Sequence, residues 1–210
     1  MSRSTLRSTI LSLTAAAGLL AGVAACDSPT GLGSGTLNLY LTDAPGDVLS
    51  AVVTIDRIYL QADSNDASGR IILREEDVTT DLLTLVDSTQ ALIEGVEIPA
   101  GRYGQLRFVI SGAYIVVEGE GGTTQIYASS PSYAALPAGA VVTGTLQMPS
   151  FAQSGLKVTL PNDALVVADD GTVSLVVDFD VAQSFGRLAG GSGMWVMSPV
   201  LRGELPSTAP

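Results

Sequence analysis

Histidine is absent from this 210-residue chain, and cysteine, lysine and tryptophan occur once each. Without an imidazole there is no Ser-His-Asp triad, no histidine general base and no histidine-ligated zinc. A single cysteine cannot close an internal disulfide, whatever the redox poise of the compartment. The lone Lys157 stands between Leu156 and Val158 in an alternating stretch. A catalytic amine needs burial or a cationic neighbour, whereas this pattern describes an exposed strand position. Positive charge is scarce as well. Ten Lys and Arg face 21 Asp and Glu, a formal net charge of −11. A nucleic-acid interface needs a basic footprint, so nucleic acid is excluded as a partner.

What the chain does have begins at its N-terminus. Arg3 and Arg7 precede an apolar run from Ile10 to Ala25, interrupted by Ser12, Thr14, Gly18 and Gly22. Positive start, apolar middle and small residues at the end are the parts of a secretory signal. The run falls short of the roughly 20 apolar residues that a spanning helix takes. The one cysteine follows directly, and Val23-Ala24-Ala25-Cys26 resembles a bacterial lipobox. That resemblance implies cleavage after residue 25 and lipid attachment at Cys26, through a diacylglycerol and an amide-linked acyl chain such as palmitate. Two or more chains anchor a protein stably where one does not. The expected organisation is a signal peptide over 1–25, the acylated Cys26 and a flexible linker over 26–35, a β-sandwich over 36–205 and a frayed tail over 206–210. No acidic residue precedes Cys26, so losing Arg3 and Arg7 makes the chain more acidic still. Contact with a membrane would then come from lipid and not from charge. The expected location is the cell envelope, outside the cytoplasm. Asp27 is similar to an inner-membrane retention signal of enterobacterial lipoproteins, which leaves inner or outer membrane open.

Beyond the linker the dominant period is two. Leu37, Leu39 and Leu41 alternate with polar neighbours, the mark of a half-buried strand. From Val52 to Leu60 the pattern slips: Val53 and Ile55 share one face, Ile58 and Leu60 the other. A β-bulge at Asp56-Arg57 would reconcile them. Helix-like spacing of Leu82, Leu85, Val86, Thr89 and Leu92 predicts a helix over 81–93. Ile98-Pro99-Ala100-Gly101 reads as a tight turn feeding a strand from Tyr103 to Ile110. Leu136-Pro137-Ala138-Gly139 repeats it ahead of Val141–Met148. Further strands read at 113–118, 123–128, 155–160 and 164–169. The longest alternation, Val173 to Val181, marks 172–181 as a central strand. Gly186–Gly193 lacks the Gly-Lys-Ser/Thr ending of a phosphate loop and reads as a hairpin connection. Met194–Leu201 closes the series. About ten short strands separated by turns point to an all-β fold, a single antiparallel Greek-key β-sandwich domain.

Four segments, in order, carry a family resemblance. Gly35-Thr36-Leu37 through Leu41-Thr42-Asp43-Ala44-Pro45 opens it. Ile98 through Arg107, Leu175 through Asp180, and Ser198-Pro199-Val200-Leu201-Arg202 follow. Together they resemble the bacterial and archaeal family called domain of unknown function 4382, over about residues 35–202. That family often has a lysine where this chain has Ser198. The resemblance implies a secreted or lipid-anchored β-sandwich and brings no activity, ligand or catalytic residue with it.

Carboxylates are the remaining chemical resource. Asp178 and Asp180 lie two apart on one predicted strand face, where they would pair with arginines such as Arg57 or Arg107, face water, or act as the two acids of a glycan hydrolase. Calcium, which takes six to eight oxygen ligands, is the only cofactor these residues suggest. The candidates are Asp43 and Asp47 around a Pro-Gly turn, with Asp178 and Asp180; Asp63, Asn65 and Asp66 crowd a second loop. No EF-hand spacing is present, and Asp and Asn are ordinary turn residues. A carbohydrate-binding face would need coplanar exposed rings, for which Tyr127, Tyr133 and Trp195 are the candidates. The leading reading is a lipid-anchored envelope protein, non-catalytic, held to the membrane through Cys26 and binding an envelope protein or glycan, or acting structurally. A carbohydrate-binding module and a carboxylate-based glycan hydrolase are the alternatives.

Overall fold

A computed structural model describes residues 33–43, 48–62, 69–148, 155–188 and 193–206. The expected signal peptide, Cys26, most of the expected linker and residues 207–210 of the expected tail lie outside the described residues, as do Asp47, Asp63, Asn65 and Asp66. In chain order the strands are β1 (Ser34–Thr42), β2 (Ser50–Ala62), β3 (Arg70–Arg74), β4 (Val78–Asp81), β5 (Gln90–Pro99), β6 (Gly101–Glu118) and β7 (Thr124–Ala128). They continue with β8 (Gly144–Gln147), β9 (Leu156–Val158), β10 (Leu165–Val167), β11 (Thr172–Phe179), β12 (Phe185–Leu188), β13 (Met194–Met197) and β14 (Leu201–Glu204). One short helix, α1 (Val181–Ser184), follows β11. A four-stranded sheet has the order β14-β11-β1-β5. The larger sheet runs β12-β13-β8-β7-β6-β2-β3, with β4 also beside β2 and β9 and β10 beside β6.

The two sheets close on one apolar core, and the sequence shows how. Leu37, Leu39 and Leu41 of β1 and Leu175, Val177 and Phe179 of β11 point inward from the small sheet, all almost fully buried. The large sheet answers with Val53, Ile55, Ile58 and Leu60 of β2 and Leu106 and Phe108 of β6. The slip in β2 is a bulge, as its pattern predicts. Ile55 pairs with Ile110 and Arg57 with Val109, so Asp56 has no opposite residue. That one extra residue lets odd positions before it and even positions after it face the same core. The clean alternation of β11 does mark a central strand, flanked by β14 and β1.

The all-β sandwich is therefore as expected, but its sheets are mixed rather than antiparallel. β1 runs parallel to β11, and β8 runs parallel to both β7 and β13. A period of two reports which face is buried and carries no strand direction. The helix expected over 81–93 is not formed. Leu82–Leu85 make a single 3-10 turn capped by Asp81, whose carboxylate accepts from Leu83 N. From Gln90 the chain is strand. The turn supplies two buried leucines three apart, Leu82 and Leu85, which imitate helical spacing. The strands expected at 103–110 and 113–118 are one, and the stretch expected to close the series divides into β13 and β14.

The two Pro-Ala-Gly turns also differ from each other. Ala140 N donates to Pro137 O at 3.0 Å across Gly139, whose φ is +77°. That is a turn position where glycine is the residue without steric cost. Pro99-Ala100 instead carries the chain from the small sheet to the large one. Tyr103 pins this crossing, with its buried hydroxyl donating to Pro99 O at 2.6 Å. Burial pushes the Tyr103 phenol above its ordinary 10.0. The unfolded phenol starts to lose its proton near pH 10 while the native one keeps it. The stability tied to this group is thus complete below pH 10 and is lost as pH rises through the native value. Tyr103→Phe is expected to cost about 1 kcal/mol at neutral pH, from the lost bond to Pro99 O. It should also flatten part of the decline in stability above pH 10, as followed by urea unfolding between pH 7 and 11.

Candidate functional site

Parallel pairing of β1 with β11 sets the C-terminal ends of the two strands side by side, with Thr42 opposite Asp178. Asp43 and Asp180 follow directly, so the fold gathers three of the four candidate acids at one end of the small sheet. Asp43 is buried, and its Oδ1 accepts from Val181 N at 3.1 Å. Asp180 is buried too and caps α1: its Oδ1 accepts from Gln183 N at 2.9 Å. Its Oδ2 accepts from the Gln183 side-chain amide and from Arg202 Nη1, the latter at 3.0 Å. Asp178 lies opposite Arg202 in the β11–β14 register. Among the described residues no group of three or more His, Cys, Asp or Glu is arranged to hold a metal ion.

For Asp180 the arginine is Arg202, and not Arg57 or Arg107 as expected. Both arginines belong to the large sheet, while β14, the neighbour of β11, supplies Arg202. Arg57 stands beside Asp56 and Glu75, and Arg107 donates to Gln105 and Gly155 O. Asp178 and Asp180 do not share a strand face either, because β11 ends at Phe179 and Asp180 turns to begin α1. The signal for that turn was in the sequence. Asp180-Val181-Ala182-Gln183 has the spacing of a capping box, overlaid on the end of a strand alternation. Ser184, wholly buried, completes the corner. Its Oγ accepts from Val200 N at 2.8 Å and its carbonyl from Ser198 N at 2.6 Å, tying α1 to the Ser-Pro-Val segment.

The three candidate rings do not form one platform, because Tyr133 lies apart from the contacting pair Tyr127 and Trp195. Tyr127 is buried in the main core and meets Trp195 at 5.3 Å between centroids, tilted by 48°. Trp195 in turn lines a cavity of about 250 Å³ with Val48, Val117, Glu118, Val181 and Phe185. Tyr133 belongs to a different apolar cluster with Val52, Tyr114 and Ala128, on the outer face of the large sheet. Adjacent strand residues point to opposite faces, so Tyr127 and Ala128 necessarily serve different sides. Lys157 is exposed in β9, as its pattern suggests.

Of the three candidate rings, Tyr133 lines a cavity whose other parts the sequence does not bring together. The cavity, of about 410 Å³, is lined by Thr54, Asp77, Thr79, Ser111, Tyr133, Ala134 and Ala135. Thr54 Oγ1 stands 2.6 Å from the Tyr133 hydroxyl and 2.7 Å from Thr79 Oγ1, a continuous chain of three hydroxyls. The Tyr133 ring occupies the space that a side chain at Gly112 would need, 2.4 Å from where its Cβ would sit. Burial raises the Tyr133 phenol above its usual value; the Thr54 hydrogen bond opposes this, and Tyr114 and Asp77 add to it. The group is a neutral hydroxyl at physiological pH. Glycine in the middle of a strand marks the close approach of another group; the expected strands left Gly112 in the gap between them, and only the continuous β6 shows it as a mid-strand glycine.

Comparison with known proteins agrees with the resemblance carried by the four segments. The family model described as domain of unknown function (DUF4382) matches residues 34–199. No curated protein and no solved structure matches the chain. The family match takes in the whole arrangement from β1 through β13, including the corner built on Asp43, Asp180 and Ser184. By this match across most of its length, the chain belongs to the DUF4382 family.

Proposed function

We propose that this chain is a lipid-anchored cell-envelope protein whose sandwich is a non-catalytic binding or structural module. The observation that carries the non-catalytic part is the use made of Asp180. Its two oxygens accept from a backbone amide, a side-chain amide and a guanidinium, which fits an anchor of the fold better than a proton donor to a glycosidic oxygen. A calcium ion here would compete with Arg202 for Asp180 Oδ2 and with Val181 N for Asp43 Oδ1. The anchor itself is supported by the sequence Val23-Ala24-Ala25-Cys26 behind its basic and apolar leader. Lipid at Cys26 would place an acidic domain at a membrane whose anionic surface would otherwise repel it.

Metabolic labelling with an alkyne fatty acid tests the anchor. Label is expected on the wild-type chain and lost in Cys26→Ser, with the variant shifting from the membrane to the soluble fraction. A wild-type chain that takes up no label would remove the anchor from this reading. Glycan hydrolysis abolished by Asp178→Asn in a folded variant would remove the non-catalytic part.

A further inference from the structure

We propose that the cavity beside Tyr133 binds one pyranose residue of a neutral glycan, as a one-ring pocket and not as the flat multi-ring face that the placement of Tyr127, Tyr133 and Trp195 rules out. The inference rests on the binding-module reading and names its ligand class. A 410 Å³ cavity open at the surface has room for one sugar ring with water around it. Tyr133 is a half-buried ring fixed in place twice, by its seat on Gly112 and by the Thr54 hydroxyl. Rings held this way lose little conformational entropy when a ligand packs on them. Around the ring stand the partners that sugar hydroxyls need. The Asp77 carboxylate accepts, and the Thr79 and Ser111 hydroxyls both donate and accept. Ala134 and Ala135 add only small side chains to the lining. Asp77 and the net charge of −11 disfavour uronic, sialylated or phosphorylated sugars, which selects a neutral ligand. The Thr54 and Tyr133 hydroxyls are already paired before any ligand arrives, so covering them strands neither.

The test uses the full chain in detergent micelles, ¹⁵N-labelled, and titrated separately with cellotetraose, maltotetraose, mannotetraose and chitotetraose. At least one is expected to shift the amides of Ser111, Ala134 and Ala135 in a saturable way. Asp77→Asn is expected to weaken that binding roughly tenfold or more, as for loss of a hydrogen bond to a charged group. Tyr133→Leu should abolish it. Asp77 and Ser111 are exposed, so Asp77→Asn and Ser111→Ala serve as folded tests should Tyr133→Leu loosen its loop. No shift with any of the four sugars, shifts confined to other surfaces, or binding indifferent to Asp77→Asn would overturn the inference. Equal binding of polygalacturonate would overturn the preference for neutral sugars. New reducing ends appearing during the titration would overturn the non-catalytic reading while leaving the site in place.

Discussion

Phe179→Ala should lower the stability of the sandwich by about 3–5 kcal/mol, the cost of emptying an aromatic site in a packed core. Phe179 is the last residue of β11, fully buried, and its ring stacks on that of Phe185 at 6.3 Å with 17° between planes. It stands opposite Leu201 in β14 and one residue before the Asp180 corner, so little backbone is free to collapse into the hole. Domains of this kind hold only about 5–15 kcal/mol in all, which makes about a fifth of the total or more depend on one ring. At about 2–4 °C per kcal/mol for a domain of this size, the melting midpoint should fall by about 10 °C. Phe179→Leu keeps most of the volume and should cost about 1–2 kcal/mol. Val141→Ala, at a position 82% exposed, should stay within about 0.5 kcal/mol. Thermal melts of the three variants check the ranking; a Phe179→Ala loss no larger than that of Val141→Ala would show that β11 is not the inner strand described.

How much could be read beforehand follows from what a strand pattern encodes. Burial on one face is written directly in the sequence, so β1, β11 and even the bulge at Asp56 were legible from the positions of Leu, Val and Ile. Pairing partners are not written there. Thr42 and Asp178 are neighbours only because two strands far apart in the chain run parallel, and nothing local to either one says so. The same gap hid Arg202 as the partner of Asp180 and suggested arginines of the other sheet. Leu82 and Leu85 misled for a different reason: one 3-10 turn reproduces three-residue spacing and then stops. Tyr133 was a candidate ring, but its cavity could not be assembled from the sequence because the parts come from β2, β4 and the approach to it, β6 and the connection after β7. Gly112 fell in the gap between two expected strands, and its seat beneath Tyr133 shows only once β6 is seen to run through it.

The acids at the corner give the sharpest separation of structural from chemical roles. Asp180→Ala removes a helix cap worth about 1 kcal/mol and a charge-assisted bond worth about 1.5–3 kcal/mol. The Asp180 side chain is 8% exposed but that of Arg202 is 46% exposed, so the stranded guanidinium regains water and the full penalty for breaking a buried pair does not apply. A loss of about 2–3 kcal/mol is expected, or a midpoint lower by about 4–12 °C. Asparagine is itself a good cap and keeps an acceptor for Gln183 N. Asp180→Asn should therefore cost only about 1 kcal/mol, chiefly through Arg202. Arg202→Met should cost about as little. A double-mutant cycle between the two positions isolates their coupling, which should shrink in high salt because one partner faces solvent. The cap contribution should persist in salt, since it lies in a buried contact with a backbone amide. A group kept for proton transfer would behave in the opposite way. Its replacement by asparagine would spare stability, leave the salt response flat and remove an activity outright, and that outcome would reassign this corner from scaffold to chemistry.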